Sequence, residues 1–285
     1  MIKSEYKPFV DELIELAIRE DIGDGDHTSL CCIPAQAKGR MKLLCKEEGI
    51  LAGVEIAEIV LKRLDEEMIF EQLLEDGAKV KSGDVAFYVS GRLQSLLRAE
   101  RILLNIMQRM SGVATQTAKY VKLVEGLNTK ILDTRKTTPG MRVLDKMAVK
   151  IGGGENHRMG LFDMILLKDN HIDFAGGVEK AVRGAKEYLA KIGKDIPIEC
   201  EVRTLENINE VFRAGGADRI MFDNFSPELT REAIALVAGR CETESSGGIN
   251  FDTLRSYAEC GVDFISVGAL THQIKSLDMS LKAVE

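Results

Sequence analysis

The chain contains no tryptophan, and only 5% of its residues are aromatic. Its net charge is −7, so it also lacks the basic excess of a nucleic-acid-binding surface, and no basic stretch is interleaved with aromatics for base stacking. Nucleic acid is therefore not an expected partner. Long apolar runs are missing as well. The opening stretch MIKSEYKPFVDELIELAIRED scatters acidic residues among its apolar positions, unlike a signal peptide, and no later run is long enough to span a bilayer. The expectations that follow are no membrane partner and a cytoplasmic location. The six cysteines (Cys31, Cys32, Cys45, Cys200, Cys241, Cys260) form no CxxC pair and no Cys/His zinc spacing, which leaves free, mostly buried thiols. The loop EDIGDGDHTSL lacks the ligand ladder and terminal glutamate of a calcium site and is expected to be a tight acidic turn.

What is present is an ordinary globular composition, 45% hydrophobic and 29% charged, over 285 residues, enough for one large domain or two moderate ones. Residues 10–18 carry apolar side chains at helical spacing. From 39 to 91 short alternating segments are broken by Gly49, Gly53, Gly77 and Gly83, as in a compact β-rich module, with one helix over 54–64. A helix is expected over 95–110, broken at Ser111 and Gly112, with Ser111 as N-cap of a second helix closing at Gly126. The texture then becomes strand, loop, helix. Gly160-Leu-Phe-Asp163-Met-Ile, Gly216-Ala-Asp218-Arg-Ile and Gly261-Val-Asp263-Phe-Ile form a weak echo, each ahead of an apolar strand, as in a repeated βα unit. Alternating strands and helices imply a parallel sheet, open or closed. The expected fold is α/β, a (β/α) barrel of parallel strands with a smaller β-rich α+β N-terminal domain. Its expected parts are 1–111, 112–270 and a C-terminal segment, 271–285, packing back on the first domain.

The unusual polar residues fall just after apolar strands, where barrel enzymes carry their chemistry. Arg135, Lys136, His157, Arg158, Lys168 and His171 form one basic set. Guanidinium forks suit carboxylates and phosphates, lysine supplies a point charge, and histidine adds a tunable donor. Together they suit a ligand with several negative groups. Glu199 and Glu201 share one strand face, and Asp223 ends another strand. Glu201 and Asp223 fit two readings, a Mg²⁺ site shared with substrate oxygens and salt bridging to the basic set. The Ser245-Ser246-Gly247-Gly248 turn and Gly268 have the glycine-rich character of a phosphate site late in a barrel. Residue chemistry thus reaches a barrel enzyme for a phosphorylated sugar-like ligand, a polyanionic co-substrate and Mg²⁺, with no reaction named.

The motifs DTRKTTPG, GGGENHRMGLFDMILLKDNH, ESSGGI and VGALTH, with EDIGDGDHTS and ERILLNIMQRMSGVAT, closely resemble the carboxylating nicotinate-nucleotide pyrophosphorylases, also called quinolinate phosphoribosyltransferases, over nearly the whole chain. The resemblance implies an incomplete α/β barrel behind a β-rich domain. It also implies a homodimer with shared active sites, or a higher oligomer built from it. The implied reaction joins quinolinate to phosphoribosyl pyrophosphate, giving nicotinate mononucleotide, pyrophosphate and CO₂, with Mg²⁺ as cofactor. By motif, Thr134, Arg135, His157, Arg158 and Lys168 would bind quinolinate, with Arg101 reaching in from the partner chain. Lys136, Glu201 and Asp223 would be catalytic, the two acids facing the ribose and Mg²⁺. Ser246, Gly247, Gly248, Gly268, Ala269 and Leu270 would cradle the phosphate and ribose. Cys200 stands where the family often has valine, on the opposite strand face. His171 and His272 receive no role. Three other readings stay open: a transferase for a monocarboxylate, a Schiff-base barrel enzyme with Lys168 as nucleophile, and a binding protein that retains the pocket.

Overall fold

A computed structural model describes residues 2–284. Helices α1 (Lys7–Ile22) and α2 (His27–Cys32) precede β1 (Lys38–Cys45), β2 (Gly49–Ile50), α3 (Val54–Leu64), β3 (Ile69–Gln72), β4 (Lys79–Val80), β5 (Val85–Arg92) and α4 (Leu93–Leu123). There follow β6 (Lys130–Leu132), α5 (Arg142–Ile151), β7 (Ile165–Leu167), α6 (Asp169–Ala175), α7 (Val178–Ile192), β8 (Ile198–Val202) and α8 (Leu205–Arg213). The chain ends with β9 (Arg219–Asp223), α9 (Pro227–Val237), β10 (Glu242–Ser246), α10 (Leu254–Ala258), β11 (Phe264–Ser266), α11 (Ala269–His272) and β12 (Met279–Ala283).

Two compact units result. The first takes the chain up to Ala118, Thr137–Gly153 and everything from Ala269 on; the second takes Lys119–Lys136 and Gly154–Gly268. An antiparallel sheet, β12-β1-β5-β3, forms the first unit's floor. Along β1 the side chains of Met41, Leu43 and Cys45 are buried in alternation, so one face of the sheet meets the core. The C-terminal segment returns here, β12 pairing with β1 from Met41↔Ala283 to Cys45↔Met279. Helix α3 occupies the expected residues, with Val54, Ile56, Ala57, Val60 and Leu61 on its buried stripe.

Two expectations need correction. The helix over 95–110 does not break at Ser111; α4 runs on for 31 residues. Ser111 and Gly112 serve close approach instead. The Ser111 hydroxyl accepts from the Ala52 N–H at 2.9 Å and donates to its carbonyl at 3.1 Å. A Cβ on Gly112 would sit 2.4 Å from the Lys275 carbonyl oxygen. Residues 137–153 belong to the first unit, where α5 packs on α1. The acidic turn ends at Asp26, whose carboxylate caps α2 by accepting from the Ser29 N–H at 3.0 Å. Cys31 and Cys32 lie on that short helix and are exposed. All six thiols are free, but only Cys45 and Cys200 are buried.

The second unit holds six parallel strands in the order β6-β11-β10-β9-β8-β7, with helices between them. The echoed aspartates explain part of its regularity. Asp218 accepts from the Ile198 N–H at 2.7 Å at the mouth of β8, and Asp263 accepts from the Thr243 N–H at 2.8 Å in β10. Each ties the start of its own strand to a neighbouring strand. Asp163 instead caps its own loop, accepting from Met159 and Gly160 N–H groups at 2.6 and 2.8 Å.

The sheet is rolled. Residues at 155 run beside β6, with Glu155 N–H on the Ile131 carbonyl at 2.7 Å, and the His157 N–H reaches Asp133 at the end of β6 at 2.9 Å. The imidazole of that same residue lies 2.9 Å from Glu199 on β8. In a flat sheet β6 and β8 would be about 19 Å apart, four strand spacings. One side chain can bridge them only because the strands curl into an open barrel.

Gly152, the first glycine of the GGG run, closes α5 against α4. An added Cβ would lie 2.4 Å from the Ala114 carbonyl oxygen and 2.7 Å from the Thr117 Cβ, and the former is helix backbone that cannot step aside. Gly152→Ala is expected to cost about 1–3 kcal/mol, read as a lower urea midpoint at unchanged slope.

Candidate active site

Parallel strands deliver their polar tips to one end of the barrel. At β6, the buried Asp133 holds the 157 segment, and the next residues turn outward. Thr134 and Arg135 are half-buried and Lys136 is exposed. The Thr134 hydroxyl accepts from the Lys136 N–H at 3.1 Å, an ST-type turn that sets the direction of the lysine backbone. Arg158 is buried beside it, and its guanidinium donates to the Met164 carbonyl at 3.1 Å. Burial first, then the nearby charge of Arg135, lowers the Arg158 pKa, so two guanidiniums press on each other in one place. Such an arrangement is stabilised by an anion.

At β7 the strand ends in Lys168, which is exposed and leads into α6. The Lys168 backbone N–H donates to His171 Nδ1 at 3.0 Å, which makes His171 a helix cap. Glu201, on β8, is buried. Burial raises its pKa, and so do the charges of Asp223 and Asp169, while Lys168 opposes them. Glu201 and Asp223, at the ends of neighbouring strands, together have the donor chemistry of a hard divalent cation site. Asn224, which the sequence reading passed over, donates to the Asp223 carboxylate at 2.9 Å from a left-handed backbone, φ 55°.

The turn after β10 is shaped for an anion's close approach. Gly247 and Gly248 have φ of 90° and 63°. A Cβ on Gly247 would lie 2.4 Å from Asn224 Oδ1. The Ser266 hydroxyl on β11 donates to the Ser246 hydroxyl at 3.0 Å, joining the last two strand ends. The second unit thus gathers Thr134, Arg135, Lys136, His157, Arg158, Lys168, Glu201, Asp223, Ser246, Gly247, Gly248 and Gly268. Arg101, exposed on α4, belongs to the first unit, as do Ala269 and the buried Leu270. There Arg109 holds Asp145 with two bonds of 2.8 Å and the Thr271 carbonyl at 3.1 Å, while Asp145 accepts from the Thr138 N–H at 3.4 Å. One ion pair so fixes both segments that follow Lys136 and Gly268.

A buried group beneath the strand tips was missed. Glu199 and Glu244 have no solvent exposure and lie at His157, whose Nε2 is 2.9 Å from the first and 3.5 Å from the second. Arg219 donates to Glu244 at 3.2 Å and to the exposed Glu242 at 2.8 Å. The alternation of Glu199 with Glu201 was the available signal, since both side chains had to face the barrel interior.

Cations at the tips of β6 and β7, acids at β8 and β9 and glycines after β10 define an α/β-barrel enzyme for a phosphorylated, strongly anionic ligand. The family is narrower than that class. Residues 26–111 match the quinolinate phosphoribosyl transferase N-terminal domain and residues 113–282 its C-terminal domain, so the chain belongs to this family. It is 44% identical to a chloroplastic carboxylating nicotinate-nucleotide pyrophosphorylase of Arabidopsis thaliana, over 99% of this chain and 85% of that protein. A probable enzyme of the same name from Bacillus subtilis is 42% identical over 92% of this chain and 89% of its own length. Among solved structures, NadC from Streptococcus pyogenes superposes with a TM-score of 0.92 at 37% identity, covering all of both chains.

Replacing Gly247 by Ala drives a Cβ into Asn224 at a backbone angle that alanine avoids. Affinity for ribose 5-phosphate, measured by calorimetry, is expected to fall about tenfold or more, because backbone N–H donors in such a turn lose their aim.

Proposed function

We infer that this chain transfers a phosphoribosyl group from phosphoribosyl pyrophosphate to quinolinate and removes one carboxylate, yielding nicotinate mononucleotide, pyrophosphate and CO₂. The observation that carries this reading is the gathering of Arg135 and the buried Arg158 after β6, with Lys168 just past the end of β7. Several cations at one end suit a dicarboxylate better than a monocarboxylate. Family membership across nearly the full length supports the same reaction.

The chemistry asks for positioning and charge. The pyridine nitrogen forms a bond to the sugar C1 as the C1–oxygen bond to pyrophosphate breaks, with positive charge on the ribose ring and negative charge on the leaving group. Arg135, Arg158 and Lys168, with Thr134, hold the quinolinate carboxylates and aim the nitrogen. Lys136 faces the departing pyrophosphate as a preorganised cation. Glu201 and Asp223 face the ribose hydroxyls, and their pairing suits Mg²⁺, which when bound supplies further charge for the leaving group. Ser246, Gly247, Gly248 and Gly268 form the phosphate end. The ring nitrogen is then cationic, so the electron pair left at the adjacent carbon by CO₂ loss is stabilised within the ring, and that carbon takes up a proton. No side-chain nucleophile is needed.

The homodimer and the crossing of Arg101 into the partner's site are part of the same proposal, supported by the exposure of Arg101 on α4 within a family motif. His157 offers the ligand less than the resemblance implied, since its Nδ1 receives the Arg158 N–H at 2.7 Å and its Nε2 faces Glu199.

Carboxyl-labelled quinolinate with phosphoribosyl pyrophosphate and Mg²⁺ is expected to release labelled CO₂ and form nicotinate mononucleotide; faster turnover on nicotinate would overturn the assignment. Site sharing has its own test. Arg101→Ala and Lys136→Ala chains, each inactive alone, are expected to regain activity when mixed and reassembled, because one site of a mixed dimer escapes both lesions. No recovery would refute the crossing.

A further inference from the structure

Asn224 has no part in the reaction proposed above, yet its backbone holds an unusual conformation beside the site. It follows Asp223, the last residue of β9, at a left-handed φ of 55°. Among the described residues, only Asn224 and Ala238 combine a side chain with such an angle. Asparagine tolerates that region better than most residues, but glycine occupies it without steric cost, as Gly247 and Gly248 do. Asn224 is also exposed, so its side chain fills no core. The backbone alone would be served by glycine, and the reason for the amide lies in what it touches.

It touches two parts of the site. Nδ2 donates to Asp223 Oδ2 at 2.9 Å. A carboxylate accepts and does not donate, which sets the amide's orientation, nitrogen toward Asp223 and oxygen toward the phosphate turn. A Cβ on Gly247 would stand 2.4 Å from Asn224 Oδ1 and 2.6 Å from its Cγ, so only glycine lets the turn come this close. The backbone N–H of Asn224 donates to the Ser246 carbonyl at 2.9 Å, one bond beyond the Asp223↔Ser246 pair of the β9–β10 ladder. One planar amide is thus wedged between the carboxylate that ends β9 and the turn that follows β10, anchored on the neighbouring strand. All of these residues belong to the second unit.

We propose that Asn224 is a positioning residue for the phosphoribosyl donor: its amide sets the distance between the Asp223 carboxylate and the Gly247 turn, so a ligand that carries hydroxyls and a phosphate on one ribose is held at both ends. The proposal rests on the phosphoribosyl reading, which puts ribose hydroxyls at Asp223 and phosphate at the turn. The bond to Oδ2 leaves Asp223 Oδ1 for the ligand, and a neutral donor fixes the carboxylate without cancelling its charge. A ligand that meets only one end gains nothing from the spacing. A ligand that spans both does gain, because an acid and a turn already at the right separation need no rearrangement on binding.

The test is calorimetry in magnesium-free buffer, with ribose 5-phosphate and inorganic phosphate as separate ligands. Native protein and Asn224→Gly are compared, each also in an Asp223→Ala background. Glycine keeps the left-handed backbone and removes only the amide, and an unchanged urea midpoint at the same slope verifies the fold. Asn224→Gly is expected to bind ribose 5-phosphate about tenfold more weakly and inorganic phosphate within about twofold of native. In the Asp223→Ala background the same change is expected to cost less than about twofold, since the amide acts through that carboxylate. In turnover, KM for phosphoribosyl pyrophosphate rises about tenfold in Asn224→Gly, while KM for quinolinate stays within about twofold. Equal losses with and without Asp223, or equal weakening of both ligands, would overturn the proposal. The two readings also fail separately. Native protein that holds ribose 5-phosphate no more tightly than inorganic phosphate refutes the phosphoribosyl reading and this proposal with it; discrimination kept in full by Asn224→Gly refutes the proposal alone.

Discussion

Residue 157 holds this barrel's active end together. Its N–H binds Asp133 at the end of β6 at 2.9 Å, and its ring lies 2.9 Å from Glu199 on β8. The sheet has six strands, and β6 and β7 lie at its two edges. The segment around His157 lies along one edge through Glu155, and Arg158 reaches the Met164 carbonyl just before the other. A single turn therefore spans the open side and carries a guanidinium of the anion site. Barrel closure and ligand recognition rest on the same few atoms.

That economy has a cost in charge. The protein as a whole is acidic, at −7, yet the strand tips collect Arg135, Lys136, Arg158 and Lys168. Burial first, and then the neighbouring charge of Arg135, lower the Arg158 pKa. The barrel answers with acids at two depths. Glu201 and Asp223 stand at the rim, close enough to raise the charging cost of Glu201. Glu199 and Glu244 stand below, where no solvent reaches. The rim pair is placed to meet a ligand or cation, while the lower pair lies beside Arg219 and His157. Charges fixed in this way need no reorganisation when a charged transition state forms, which is the source of most electrostatic catalysis.

The residue pattern made much of this legible before any coordinates. Helical spacing located α3 at its observed residues, and apolar runs located β6, β8, β9 and β11. The Gly-x-Asp echo was real, and its cause is concrete in two of three places, where the aspartate accepts from the N–H of an adjacent strand. What stayed hidden were long-range reasons for local residues. Ser111 and Gly112 read as a helix break because serine and glycine do favour helix ends. In fact one binds the Ala52 backbone and the other makes room for Lys275. Periodicity carries no record of what lies opposite. The thiols of Cys31 and Cys32 were misplaced for a related reason: burial statistics for cysteine say nothing of a short helix left on the surface. Glu199 was seen to share a face with Glu201, but only the rolled sheet shows that the face leads to Glu244.

Stability alone does not account for the lower cluster. A buried set of two acids, an arginine and a histidine can often be replaced by apolar side chains of equal volume with no loss of stability, and sometimes with a gain. Met221, buried on β9 on the same face as Arg219, shows that the barrel interior can be filled that way. An apolar filling would still close the barrel, but it would leave no acid beside His157, whose Nδ1 accepts from the Arg158 N–H. Nor could it balance a guanidinium held below the surface. The cluster lies directly below the turn that carries Arg158, so its charges bear on a residue of the anion site.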